Sequence, residues 1–248
     1  MFQTTQALVL REVRYKEADR ILTLLSTTEG KVTAKARGAL RKSSRTAAAT
    51  QQLTYAEMTL FGNRGKWTVN EASLIEGFAG LRSDIERFAL GSYFAECLEA
   101  FSTEEQPEPE LLQLGLNCLY ALSRGKAEPV LVKAAFELRL MALAGFSPEL
   151  SACPACGRTE PEEPILCLED GSVCCRSCRT PDRGAGAVLD ADALAAMRFV
   201  LAAPPKQILS FSLEGESRSL LCSAAERYLL LHAERGFSTL DFWKSIRI

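Results

Sequence analysis

Gly30-Lys31-Val32-Thr33-Ala34-Lys35-Ala36-Arg37-Gly38-Ala39-Leu40-Arg41-Lys42-Ser43-Ser44-Arg45 is the stretch around which the rest of the chain is organised. Lys31, Thr33, Lys35 and Arg37 alternate with Val32, Ala34, Ala36 and Gly38. A period of two predicts a strand with one basic face and one small apolar face. The loop behind it adds Arg41, Lys42 and Arg45, and no acid occurs between Glu29 and Glu57. Six cations so close together create a local positive field. Such a field suits a polyanion; it also suits a solvated edge that discourages aggregation.

Working outward, residues 6–15, 20–27, 53–61 and 66–72 carry strand patterns of their own. Lys16-Glu17-Ala18-Asp19, Glu29-Gly30 and Gly62-Asn63-Arg64-Gly65 read as turns between them. Five consecutive short strands predict a small barrel. The OB-fold is the first expectation and an SH3-like barrel the alternative. Trp67, flanked by Arg64 and Lys66, is placed either to stack on a base or to fill the core.

Past residue 80 the apolar period lengthens to that of helices. Helices are expected at 84–101, 111–122, 129–144, from the Asp190 cap to about 201, and at 217–235. The third is apolar nearly all round, which predicts burial on several sides. Gly145 stands where a helix C-cap needs it, with Pro148 following as a stop. Packing is the ordinary role for such helices.

Cys153-Pro154-Ala155-Cys156-Gly157 and Cys175-Arg176-Ser177-Cys178 form two CxxC knuckles with 18 residues between them. Each knuckle aims two thiolates at one point, and two knuckles complete a tetrahedron, so one structural zinc ion on Cys153, Cys156, Cys175 and Cys178 is expected. Free thiols or a redox pair would be the alternatives. Cys174 abuts Cys175 and leaves the register open; the CxxC spacing favours Cys175. Cys97, Cys118, Cys167 and Cys222 read as small buried residues. The fold class expected is α+β and multidomain: an OB-fold barrel over 1–80, a helical domain over 81–150 and 183–248, and a zinc-binding module inserted at 151–182.

The 248 residues carry a net formal charge of −2, but unevenly. Residues 1–80 hold 12 Lys and Arg against 7 Asp and Glu, a net +5; the remainder is net −7. Any nucleic-acid contact is therefore expected to be local to the N-terminal part. The first residues show no basic region followed by an apolar run, and no stretch approaches a membrane span, so the chain is read as cytosolic. In that compartment nine cysteines are expected as thiols or metal ligands. The single histidine, His232, offers no triad, and neither a phosphate-binding P-loop nor a dinucleotide-binding fingerprint occurs. A binding protein is favoured over an enzyme. An RNA-binding barrel in translation or RNA processing, a CxxC redox protein and a protein-only scaffold are the rival classes.

An ordered set of short motifs resembles the RecO family of bacterial recombination mediators. The set runs through Leu8-Val9-Leu10, Glu17-Ala18-Asp19-Arg20-Ile21, Glu29-Gly30-Lys31, Lys35-Ala36-Arg37-Gly38 and Ser43-Ser44-Arg45. It continues through Glu137-Leu138-Arg139-Leu140, Gly145-Phe146-Ser147-Pro148 and both CxxC knuckles. Two positions depart from the family pattern: Lys16 stands where a glycine is common, and residues 38–42 carry only part of the family's basic run. The resemblance implies an OB-fold, a helical domain and a zinc module. It also implies binding of single- and double-stranded DNA, annealing of complementary strands, and a cytoplasmic, nucleoid-associated location. Implied partners are RecR, in some cases RecF, and single-stranded-DNA-binding protein, with RecA loaded as the outcome. Lys31, Lys35, Arg37, Arg41, Lys42, Arg45, Arg64 and Lys66 are the expected phosphate contacts, with Trp67 adding stacking.

Overall fold

The computed structural model describes residues 1–63 and 65–247. The chain divides into two units, Met1–Arg124 with the segment from Phe237 onward, and Gly125–Gly236.

In the first unit, β1 (Phe2–Tyr15), β2 (Asp19–Ser26) and β3 (Gly30–Ala36) follow one another as antiparallel neighbours. The chain then crosses over. β4 (Tyr55–Asn63) pairs with the far edge of β1, and β5 (Lys66–Glu76) runs back along β4. β5 finally pairs in parallel with β3 through Ala34, Lys35 and Ala36, closing the barrel in the order β1-β2-β3-β5-β4. A five-stranded Greek-key barrel of this kind is an OB-fold. The parallel closure, absent from a simple meander, decides against the SH3-like alternative.

The predicted alternation in β3 is present: Val32, Ala34 and Ala36 are buried while Lys31, Thr33 and Lys35 face outward. Small residues suit a narrow barrel. Ala7, Ala34, Ala36 and Ala56 leave room for Leu22, Leu24, Met58 and Leu60. The segment between β3 and β4 dips Ala39 and Ala49 into the same core. The short alanine run 47–49, uninformative as sequence, thus has a packing role. On the outer side of β1, Leu8 and Leu10 are also buried, so this strand is covered on both faces.

α1 (Ala79–Arg82), α2 (Ile85–Phe101) and α3 (Pro109–Arg124) complete most of the unit. Asp84 caps α2, its carboxylate accepting the amide of Arg87.

The second unit holds α4 (Pro129–Leu143), a three-stranded sheet of β6 (Pro164–Cys167), β7 (Val173–Cys175) and β8 (Gly186–Val188), then α5 (Ala191–Ala202) and α6 (Gly215–Ala233). As expected, α4 is buried almost all round. Even its charged residues are inside: the Lys133 ammonium lies 2.7 Å from Glu137 and 2.8 Å from Glu226. Burial disfavours that charge, yet the two carboxylates outweigh it and raise the Lys133 pKa. α4 ends in a Schellman motif. Phe146 N–H donates to the Met141 carbonyl, Gly145 N–H donates to that of Ala142, and Gly145 has a φ of +91°. Asp190 caps α5 as predicted, accepting from Ala193 N–H.

A final helix, α7 (Ser238–Ile246), belongs to the first unit. Its entry residue Phe237 meets Tyr93 of α2 edge-on at 5.7 Å. The sequence reading had no element there. It also lacked β8, which adds a third strand to the β6–β7 hairpin.

Candidate functional site

Two groups of side chains stand out, one on the barrel and one in the second unit.

The barrel group begins with the β1–β2 turn. Asp19 pairs with Lys35 at 2.8 Å and accepts the Gly38 amide, while the Ala18 carbonyl accepts from Leu40 N–H. Arg20 donates to the Ala47 carbonyl and to Thr50 Oγ1, and its guanidinium lies 3.5 Å from Glu12. Arg82 holds the Gln52 carbonyl. The long connection 37–54 is therefore fastened at both ends, and Thr50 and Thr54 bond back to its own carbonyls. Motif residues Asp19 and Arg20 position the basic loop; they are not themselves presented to a ligand. Sequence reasoning missed this because their partners lie about twenty to thirty residues away.

On this frame Arg37, Arg41, Lys42 and Arg45 are exposed. None of them forms an ion pair among the described residues. Lys31 is different: its ammonium donates to the Glu99 carbonyl of α2 at 3.0 Å. Lys35 and Arg37 line a cleft of about 630 Å³ together with Lys66, Trp67, Phe2 and Phe61. Arg64 lies outside the described residues. Trp67 does two things at once: its ring packs on the barrel core and on Gly62, and it lines the cleft. A Cβ at Gly62 would come within 2.8 Å of that ring, so any other residue there would displace it. Phe2 and Phe61, not singled out from sequence, pack as a tilted pair with centroids 4.9 Å apart and reach the surface. Tyr15 is exposed as well, its ring 4.9 Å from the Lys35 ammonium. Cations next to open aromatic faces form a surface able to take both the phosphates and the bases of a nucleic-acid strand.

In the second unit, the sulfurs of Cys153, Cys156, Cys175 and Cys178 all lie within 4.8 Å of one another. The first knuckle closes through Gly157 N–H to the Cys153 carbonyl, with Gly157 at a φ of +74°. Burial opposes a charge on Cys153, but amides of Cys175, Cys156 and Ala155 outweigh it and bring its pKa down to about 6. Those amides are set to hold a thiolate. Cys178 is pushed up to about 11, chiefly by its bond to Cys156 and then by burial; burial chiefly raises Cys175. One thiolate forms readily and its neighbours resist adding like charge, so a cation at the centre is what lets all four ionise. This chemistry fits a metal ion. Cys174 points elsewhere: its sulfur meets that of Cys167 at 3.3 Å in the interior, and burial pushes it up to about 12. It is the Cys175 sulfur, not that of Cys174, that converges with the other three. Cys97, Cys118 and Cys167 are buried as expected, whereas Cys222 is half-buried and donates to the Val130 carbonyl.

His232 stacks on Phe146 and places Nε2 3.0 Å from the Leu168 carbonyl, a packing role.

The family model Recombination protein O N terminal matches residues 1–78, and Recombination protein O C terminal matches residues 82–241. The DNA repair protein RecO of Acetivibrio thermocellus is 33% identical, over 98% of this chain and 96% of its own length. That of Symbiobacterium thermophilum is 33% identical over 97% and 96%, and that of Alkaliphilus metalliredigens 28% identical over 99% and 100%.

Proposed function

Since the chain belongs to the RecO family of DNA repair proteins, we propose that it is a non-enzymatic recombination mediator. On this reading it binds single- and double-stranded DNA and anneals complementary strands. It then helps RecA onto strands coated by single-stranded-DNA-binding protein. The observation that carries the DNA-binding part is the cleft in which Lys35, Arg37 and Lys66 surround Trp67, Phe2 and Phe61. The cations neutralise phosphates and release counterions, and the rings supply stacking that is tolerant of sequence. Arg41, Lys42 and Arg45 on the fastened loop extend the positive surface. Annealing follows when one such surface holds two strands while screening their repulsion. RecR, in some cases RecF, and single-stranded-DNA-binding protein are partners by family membership alone.

The four-cysteine cluster is proposed to hold one structural zinc ion. Zinc bonded tetrahedrally to four sulfurs at ~2.3 Å requires sulfurs ~3.8 Å apart. Cys156 and Cys175 stand 3.8 Å apart. A closed four-thiolate shell leaves no position for a reacting water, so the ion would fix the module and add to its folding energy.

The test is binding of a labelled single-stranded DNA oligomer across a salt series, with Lys35→Glu/Arg37→Glu alongside. Expected are tight binding at low salt, a steep decline as salt rises, and loss in the double variant. Binding that ignores the double variant would remove the cleft as the DNA site. Preference for RNA of the same sequence would favour an RNA-binding protein instead.

A further inference from the structure

β3 has two edges. β2 pairs along the whole of one, but β5 reaches only Ala34–Ala36 on the other. The Gly30 end is covered by something else. Lys31 N–H donates to the Thr103 carbonyl, and Glu105 N–H donates to the Lys31 carbonyl, at 3.3 and 3.2 Å. Residues 103–105 thus lie along β3 as a short added strand piece, with Glu104 bridging Gly30 and Lys31. The fit is close. A Cβ on Gly30 would sit 1.9 Å from the Gln106 carbonyl oxygen, so only glycine admits the segment. Glu108 fastens it by accepting Thr103 N–H at 2.9 Å.

Covering an edge needs only backbone. Here the cover also carries exposed carboxylates, Glu104 and Glu105. The cations at this end are already engaged: Lys31 with the Glu99 carbonyl, and Arg11 with the Glu99 carboxylate at 2.8 Å. At the other end of the strand Lys35 is paired with Asp19, but Arg37 and Lys66 have no such partner among the described residues. Exposed carboxylates thus border one end of the strand and unpaired cations the other. Four residues from Lys31 to Lys35 span ~13 Å, longer than the ~8 Å screening length at physiological salt. The acidic end can repel a phosphate locally without cancelling the basic end.

We propose that residues 103–105 form an acidic strap that ends the DNA path. It turns phosphates away from the Gly30–Lys31 end of β3 and limits the strand to the cleft of Lys35, Arg37 and Lys66. The proposal deepens the DNA-binding reading above and rests on it. A strap that only protects an edge does so through its backbone and would bind DNA no differently once neutralised; one that bounds the path needs its charge.

The experiment uses the intact protein with Glu104→Gln/Glu105→Gln and, as a stronger perturbation, Glu104→Lys/Glu105→Lys. Both are read by oligo(dT) of increasing length across a salt series. The glutamine pair preserves the strap and tightens binding at low salt. The lysine pair adds about one or two phosphate contacts, steepening the salt slope by ~0.7 for each, and lengthens the shortest oligomer that saturates binding. Unchanged affinity, slope and length in both variants, with Lys35→Glu/Arg37→Glu still abolishing binding, would overturn the strap and leave the cleft standing. Retained binding in Lys35→Glu/Arg37→Glu would overturn the cleft and the strap together.

Discussion

Asp19 holds Lys35 and Gly38 with one carboxylate: one oxygen lies 2.8 Å from the Lys35 ammonium, and the other accepts the Gly38 amide at 2.8 Å. The β1–β2 turn, the basic strand and the start of the basic loop are tied together at this residue. A carboxylate beside a run of cations looks misplaced in the sequence. In the structure it orders the loop that carries them.

The bond from Lys35, followed by that from Gly38, holds the Asp19 carboxyl below its ordinary value of 3.8. A carboxyl whose folded pKa is depressed stabilises the fold above its unfolded pKa, and the contribution is lost as pH falls through the depressed folded value. Wild type should therefore exceed Asp19→Asn in urea midpoint at about pH 7, and the gap should close below about pH 4. A gap that persists undiminished into acid would show that Asp19 acts through something other than its charge.

Lys16 has a φ of +54° in the β1–β2 turn, at the position where the family pattern often has glycine. A side chain in this left-handed region costs roughly 1–2 kcal/mol, part of which glycine returns through its more flexible unfolded chain. Lys16→Gly should raise unfolding stability by about 0.5–1 kcal/mol. Equilibrium denaturation measures it, and a destabilised variant would contradict the strain.

Where one face of an element met water and the other a core, local spacing was enough to reveal it. The alternation around Lys35 was legible for that reason; the all-round apolar α4, the Asp190 cap and the paired knuckles were legible because each signal lies within a few consecutive residues. Relationships between distant residues were not. The parallel closure of β3 on β5 joins Ala34 to Trp67 across the long loop, and no local pattern encodes it. The strap joins Glu104 to Gly30. α7 spans only nine residues and buries Leu240 and Trp243, too few periodic positions to stand out. The aromatic face of the cleft was missed because Phe2 and Phe61 lie on separate strands, joined only by the β1–β4 register.

The cysteine register gives a paired test. Cys156→Ser removes a member of the four-sulfur cluster, although its side chain is exposed. It should lower bound metal well below one ion per chain and unfold the module, since binding free energy there is also folding energy. Cys174→Ala removes a buried thiol outside the cluster. It should keep the metal and cost about 1 kcal/mol in stability. Metal analysis with thermal unfolding separates the two. Metal lost from Cys174→Ala and retained in Cys156→Ser would reverse the assignment.

The exposed pair Phe2 and Phe61 provides the sharpest separation of charge from stacking at the cleft. Phe61 borders Lys35, Arg37, Lys66 and Trp67 but carries no charge. Stacking of one base on an aromatic ring contributes ~1–3 kcal/mol, so Phe61→Ala should weaken single-stranded DNA binding roughly 5- to 150-fold. The salt slope should stay as it was, because no phosphate contact is removed. Duplex DNA, whose bases are already stacked on one another, should lose far less. Some stability should be lost as well, since Phe61 is only 36% exposed, so binding is compared under conditions where both proteins are fully folded. A similar loss on both kinds of DNA would mean that the rings only shape the cleft. A flattened salt slope would mean that the variant had displaced the neighbouring cations.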